Sequence, residues 1–97
     1  MEQGGQKRYY KPIWSKKAKK NLNKIDPTQK VIITYKVDNK LAYDPYGKMI
    51  DAKKMKGKAW KEKWRYRTGN YRVIYKIYEK EIYIDILEVD DRKDIYG

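Results

Sequence analysis

Apolar and polar residues alternate along the last third of the chain, as is typical of β-strands with one buried face. With Glu79 and Lys80 at the tip of a hairpin, one face collects the pairs Ile77–Ile82, Tyr75–Ile84 and Val73–Ile86. The other face then carries Arg72, Ile74 and Lys76 with Tyr83, Asp85 and Leu87. We expect the apolar face to pack against the rest of the protein and the other face to remain free for function.

A third strand precedes this hairpin. The segment Trp64-Arg65-Tyr66-Arg67 is joined to Tyr71 by Thr68-Gly69-Asn70, a turn rich in residues that hairpins favour. The pattern therefore predicts a three-stranded antiparallel meander in the second half of the chain.

The first half contains a segment with helical spacing. Ser15 is a suitable N-cap for residues 16–25, in which Ala18, Leu22 and Ile25 recur at intervals of four and three. The lysines fill the opposite side, so the pattern predicts an amphipathic helix of about three turns.

A second helix is predicted after Asp26-Pro27, where Asp is a favourable N-cap and Pro a favourable first helical residue. The β-branched run from Val31 to Thr34 favours a strand locally. A helix is preferred because Ile33, Val37 and Leu41 then share one side, which Val31 and Tyr35 flank. The two helices would form a hairpin.

The remaining segments complete an α+β fold with its helices on one face of the sheet. We expect an N-terminal strand within residues 8–14, confined to an edge or a strand end by Pro12. Asp44-Pro45-Tyr46-Gly47 is a turn sequence, and residues 48–63 are predicted to be a looped basic segment. Residues 1–6 are expected to be disordered, and residues 1–97 to form a single domain.

Charge and composition narrow the function. The chain has 25 Lys and Arg residues against 13 Asp and Glu, a net charge of +12, together with 11 Tyr and 3 Trp. Cations combined with aromatic rings favour a nucleic-acid partner over solvation alone or an acidic protein partner. The absence of Cys and His excludes disulfides, thiolate metal sites and imidazole catalysis. The N-terminus lacks the pattern of a signal peptide and no apolar run could span a membrane, so we expect a cytoplasmic protein.

Phosphate chemistry fits these residue types best. Arg and Lys can stabilise charge that develops on a phosphoryl group, while Tyr, Lys or a carboxylate transfers protons. RNA supplies its own nucleophile, the 2′-hydroxyl, so an enzyme of this composition could act with no metal or other cofactor.

Three motifs resemble those of the RelE/ParE toxin superfamily. The segment from Trp64 to Tyr75 is similar to its central motif, and Asp91-Arg92-Lys93-Asp94-Ile95-Tyr96 is similar to its C-terminal motif. Lys54-Met55-Lys56-Gly57 resembles the short basic turn that precedes the central strands. The similarity in element order extends from about Tyr10 to Tyr96.

This resemblance implies the toxin of a bacterial or archaeal toxin-antitoxin pair. Such a toxin is neutralised by a small acidic, RelB-like antitoxin in a hetero-oligomer. The RelE branch implies a ribosome-dependent endonuclease that cleaves mRNA without metal, by attack of the 2′-hydroxyl on the neighbouring phosphate, and so inhibits translation. The alternatives are the ParE branch, which poisons DNA gyrase, and a non-catalytic RNA-binding module.

The resemblance also implies candidate catalytic residues. Arg72 matches a phosphate-binding arginine, Arg92 a second one, and Tyr96 the C-terminal tyrosine that stacks on or orients the substrate. Lys61 and Lys63 resemble a lysine pair, one of which is a general-base candidate if neighbouring cations depress its pKa.

Other cations are candidates for binding RNA. Arg65 and Arg67 are alternative occupants of the positions of the lysine pair. Together with Lys54 and Lys56 they are predicted to contact the RNA. Asp90 and Asp91 stand where many members of the superfamily have a His, and Asp91 is predicted to pair with Arg92.

Overall fold

The computed structural model describes residues 8–91, which form two α-helices and a five-stranded β-sheet. The elements are β1 (Lys11–Trp14), α1 (Lys16–Lys24), α2 (Pro27–Asn39), β2 (Ala52–Lys54), β3 (Trp64–Thr68), β4 (Tyr71–Tyr78) and β5 (Tyr83–Asp91). The strand order is β1-β5-β4-β3-β2, with β1 parallel to β5 and the other neighbours antiparallel. The predicted α+β fold and the meander of β3, β4 and β5 are confirmed.

The hydrophobic core lies between the two helices and one face of the sheet. Its fully buried members include Ala18 from α1, Ile33 and Val37 from α2, and Val73, Tyr75, Ile84 and Ile86 from the sheet. These strand residues are the ones that alternation assigned to the apolar face. Ile82 is an exception, because it lies in the hairpin loop and is 38% exposed.

The two helices begin where the sequence predicts. The hydroxyl of Ser15 accepts a hydrogen bond of 3.0 Å from the backbone N–H of Ala18, which satisfies one of the unpaired donors at the start of α1. Asp26 is the N-cap of α2 and Pro27 its first residue, as predicted, although the Asp26 side chain makes no capping hydrogen bond. None of the helices among residues 8–91 is long and apolar enough to cross a membrane.

Two strands occupy the edges of the sheet. β1 is shorter than the predicted segment, and Pro12 lies in this edge strand as its missing N–H requires. β2 lies within residues 48–63, so the prediction of a loop throughout that segment is wrong. Three residues are too few for an alternation pattern, and β2 forms because Ala52 is buried opposite Tyr66 while its backbone pairs with β3.

The hairpin between β4 and β5 has a different register from the predicted one. Ile77 pairs with Ile84, and Tyr75 pairs with Ile86, two residues further along β5 than expected. The cause is a four-residue loop, Glu79–Ile82, that ends with Ile82 at a φ of +54°. A shift of two residues keeps side chains on the same face, so the faces of residues 83–86 were predicted correctly although the pairs were not.

A β-bulge interrupts β5 at Leu87. On one side of it Tyr75 pairs with Ile86, and on the other Ile74 pairs with Glu88. The bulge is held by α1 and its cap. The hydroxyl of Ser15 donates to the Leu87 carbonyl at 2.8 Å, and the Oδ1 atom of Asn21 accepts from the Val89 N–H at 2.9 Å. Leu87 was predicted to share a face with Arg72; because of the bulge, Glu88 and Asp90 do so instead.

The hairpin tip is tied to the N-terminal segment by the carboxylate of Glu79. It accepts hydrogen bonds from the hydroxyls of Tyr10 at 2.9 Å and Tyr46 at 2.7 Å, and it pairs with Arg8 at 2.8 Å. The hydrogen bond to Glu79, with burial second, raises the pKa of Tyr46 to about 12. The same two hydroxyls lower the pKa of Glu79. The tyrosines therefore stay protonated donors while the carboxylate stays ionised.

Replacing Gly47 by alanine is expected to destabilise the protein far more than the same change at Gly69. Gly47 closes the predicted turn with a φ of +70°, and a Cβ there would lie 2.0 Å from the backbone oxygen of Ala52. Gly69 has a φ of +60° but no atom within 4 Å of such a Cβ, so alanine costs only about 1 kcal/mol there. Thermal unfolding of both variants by circular dichroism tests this, and equal losses of stability would contradict it.

Candidate nucleic-acid interface

A group of cations lies on the sheet face that points away from the helices. Residues directly opposite each other on paired strands share a face. Arg72 is opposite Arg67, and Arg65 is opposite Ile74 on β4 and Lys53 on β2. Each of these residues alternates with core residues along its own strand. Three arginines from β3 and β4 therefore meet on one surface, and Lys53 extends it to the edge of the sheet.

Arg72 is held in place from two sides. Its Nη2 atom donates a hydrogen bond of 3.0 Å to Oδ2 of Asp90, which the bulge at Leu87 places opposite it. Its guanidinium carbon lies 5.5 Å from the centroid of the Trp60 ring, within the range of a cation–π contact. The side chain is 18% exposed, and its buried Nε has no hydrogen-bond partner among residues 8–91. The guanidinium is thus oriented and keeps donors for an anion.

Trp60 reaches Arg72 from the segment between β2 and β3. It ends a short 3₁₀ helix, Lys58–Trp60, whose turn is closed by a 3.1 Å hydrogen bond from the Trp60 N–H to the Gly57 carbonyl. The Nζ atom of Lys63 lies 5.6 Å from the same ring. One indole therefore gathers two cations, a lysine and an arginine, that are nine residues apart in sequence.

The arginines of β3 lie beside a second carboxylate. Arg65 pairs with Asp51 at 3.2 Å and its side chain is 16% exposed, while the backbone N–H of Arg67 donates to the Asp51 carbonyl at 3.0 Å. Arg67 and Arg72 are like charges directly opposite each other, an arrangement that disfavours the sheet unless counter-charges are near. Asp51 pairs with Arg65 and Asp90 pairs with Arg72, so these two carboxylates offset part of the positive charge of the surface.

The predicted site residues divide into three groups. Arg72, Arg65, Arg67 and Lys63 lie together on or beside this surface. Lys56 and Lys61 are exposed on the connecting segment, and Lys54 pairs with Trp64, which puts it on the opposite face from Arg65. The other two predicted residues, Arg92 and Tyr96, lie outside the described residues.

Three members of this surface were not predicted. Trp60 belongs to no sequence motif that would identify it as a site residue, and Asp90 lies opposite Arg72 only because of the bulge. Lys53 could be recognised only once β2 was known to pair with β3. The surface is also less open than expected, since Ile74, beside Arg72 on the same face, is fully buried.

The arrangement suits binding and stabilising a phosphate. Guanidinium groups fix phosphate oxygens in a planar, multiply hydrogen-bonded geometry, and a partly buried site strengthens that attraction relative to water. The Trp60 ring adds a flat apolar surface of the kind on which nucleobases stack. The chemistry open to such a site is binding a nucleic acid and stabilising charge on one of its phosphates.

Comparison with known proteins identifies a toxin family. The family model described as the ParE toxin of the type II toxin-antitoxin system, parDE, matches residues 13–96. No curated protein sequence matches the chain significantly.

Three similar solved structures are toxin-antitoxin complexes. The toxin-antitoxin complex RelBE2 of Mycobacterium tuberculosis contains a chain with a TM-score of 0.78 and 23% identity, covering 87% of this chain and 99% of that one. A chain of the archaeal RelE-RelB complex from Pyrococcus horikoshii OT3 has a TM-score of 0.69 and 28% identity, with coverages of 87% and 96%. A chain of the RelB-RelE complex from Methanococcus jannaschii has a TM-score of 0.66 and 24% identity, with coverages of 87% and 94%.

Proposed function

This chain belongs to the ParE toxin family of type II toxin-antitoxin systems, in the RelE/ParE superfamily, and we propose that it is a ribosome-dependent endonuclease that cleaves mRNA. It is the toxin of such a system. The observation that carries the proposal is the position of Arg72, which is oriented by Asp90 and Trp60 on the sheet face away from the helices. A phosphate bound there would lie among Arg72, Arg67 and Lys63.

The proposed reaction uses the 2′-hydroxyl of the nucleotide before the scissile bond. Its oxygen forms a bond to the adjacent phosphorus, and the bond from phosphorus to the 5′-oxygen of the next nucleotide breaks. The products are a 2′,3′-cyclic phosphate and a 5′-hydroxyl. A base takes the proton of the 2′-hydroxyl, and an acid gives one to the departing 5′-oxygen.

Roles for the residues of this surface follow from their positions. Arg72 donates to the non-bridging phosphate oxygens, where charge increases in the transition state. Lys63, whose Nζ atom lies 5.6 Å from the centroid of the same Trp60 ring, is our candidate for the proton transfers, with Lys61 as the alternative. Arg65 and Arg67 lie on the strand that leads into the Gly69 turn, and we assign them to RNA binding. Arg92 and Tyr96 remain proposed members of the site.

We also propose that an acidic, RelB-like antitoxin neutralises the protein. The net charge of +12 favours an acidic partner, and the outer side of α2 exposes Val31 at 69% and Tyr35 at 59%. The three similar structures named above are toxin-antitoxin complexes.

Primer extension on a translated mRNA tests the proposed activity. The purified toxin is added to a translation reaction with a defined message, and to the same message without ribosomes. We expect cuts inside codons only when the ribosomes are present, each with a 5′-hydroxyl on the downstream fragment. An uncut message in the translating reaction would refute the proposal.

The matched family model favours one further candidate, a gyrase inhibitor of the ParE type. The two functions separate in a pair of assays with the same preparation. A gyrase inhibitor would block supercoiling of a relaxed plasmid and leave the message intact, whereas the endonuclease would do the reverse.

A further inference from the structure

A pair of stacked tyrosines lies on the same sheet face as Arg72, at the other end of β4. Tyr78 and Tyr83 are partners across the hairpin, with ring centroids 4.6 Å apart and an angle of 4° between the ring planes. Tyr78 follows Arg72 by six residues, and an even separation puts both side chains on one face. Both tyrosines are partly exposed, so the pair presents aromatic surface to solvent.

Lysines lie beside this pair. Lys76 precedes Tyr78 by two residues on the same face. The exposed Lys11 of β1 is paired with Tyr83 of the neighbouring strand β5. An aromatic surface with cations beside it is typical of sites that bind single strands, because bases stack on the rings while lysines attract the phosphates.

The charges on this face indicate the direction in which a polyanion would lie. Its carboxylates on β5 are Asp85, Glu88 and Asp90, of which Glu88 pairs with Lys17 and Asp90 with Arg72. On β4, Arg72 and Lys76 lead from the arginines to Tyr78. The edge strands add Lys53 beside Arg65 and Lys11 beside Tyr83. A nucleic-acid strand would therefore follow β4 from Arg72 towards the tyrosine pair.

We propose that Tyr78 and Tyr83 form a second binding site for single-stranded RNA, on which a base of the substrate stacks while Arg72 holds the reacting phosphate. Six residues of β-strand span about 20 Å. At the spacing of about 3.4 Å per nucleotide in a stacked strand, this is about six nucleotides. The inference rests on the proposed function, since it takes the phosphate at Arg72 as the other end of the bound segment.

Binding of uncleavable RNA of two lengths tests this second site. The probes are 2′-O-methyl oligoadenylates of three and eight nucleotides with a fluorescent label, and fluorescence anisotropy is the readout. The double variant Tyr78→Leu with Tyr83→Leu should bind the longer probe about five- to tenfold more weakly than wild type. Its affinity for the shorter probe, which cannot span both sites, should not change.

Two control variants separate stacking from folding. Tyr78→Phe with Tyr83→Phe keeps the rings and should bind both probes as wild type does. Tyr35→Leu with Tyr43→Leu changes two exposed tyrosines away from this face and should also leave binding unchanged.

The outcomes are distinct. An unchanged affinity of the leucine variant for the longer probe, or equal losses for both probes, would overturn the second site. Failure of the proposed endonuclease activity appears separately, as an uncut message in the translation reaction, and does not alter the dependence of binding on probe length.

Discussion

Replacing Arg72 by alanine is expected to reduce mRNA cleavage by about 10²–10³-fold, the loss typical when one donor to a charged transition state is removed. The guanidinium is already oriented by Asp90 and Trp60, so binding the substrate requires little further ordering of this side chain. The measurement is the rate of cleavage of a defined message in a translation reaction, followed by primer extension. Arrest of cell growth on induction should fall in parallel.

Two variants sharpen this test. Arg72→Lys keeps the positive charge but cannot make the planar contacts of a guanidinium, so we expect activity between that of the alanine variant and wild type. Arg8→Ala removes an exposed arginine that pairs with Glu79 at the hairpin tip and should leave cleavage unchanged. Wild-type cleavage by a folded Arg72→Ala protein would show that this arginine is not at the reaction centre.

Replacing Ile33 by alanine is expected to lower the free energy of unfolding by about 2–5 kcal/mol. Ile33 is completely buried between α2 and the sheet, so the change removes apolar contacts and leaves a cavity. Small domains have net stabilities of only about 5–15 kcal/mol, so a loss of this size would raise the unfolded population greatly. Urea unfolding followed by circular dichroism measures the effect.

The adjacent residue provides the matched control. Ile32 is the same residue type in the same helix, but it is 37% exposed. We expect Ile32→Ala to cost much less than Ile33→Ala, because less buried surface is lost and no closed cavity forms. If both variants lost the same stability, the assignment of the buried side of α2 would be wrong.

Most of the fold could be predicted because its signals are local. The helix start at Ser15 depends on neighbouring residues, and the faces of β4 and of β5 as far as Ile86 depend only on whether positions are odd or even. The register could not be predicted in the same way. It depends on the length of the Glu79–Ile82 loop and on contacts of Leu87 and Val89 with α1, which lies about 70 residues earlier in the chain.

The candidate site follows the same division. Arg72 and the β3 arginines could be named from the motif and its strand pattern. Trp60 could not, because it reaches Arg72 from an irregular segment with no periodic signal. Asp90 could not either, since without the bulge alternation would have assigned it to the opposite face.

The bulge at Leu87 has a consequence for insertions and deletions in this part of the gene. In a regular strand, losing one residue moves every later side chain to the opposite face of the sheet. Here, Leu87 is the extra residue between the pairs Tyr75–Ile86 and Ile74–Glu88, so its deletion would leave Val89 in the core and Asp90 beside Arg72. The contact that would be lost is the hydrogen bond from the Ser15 hydroxyl to the Leu87 carbonyl. Homologous toxins with this arginine–aspartate pair should therefore tolerate the absence of one residue at the position of Leu87.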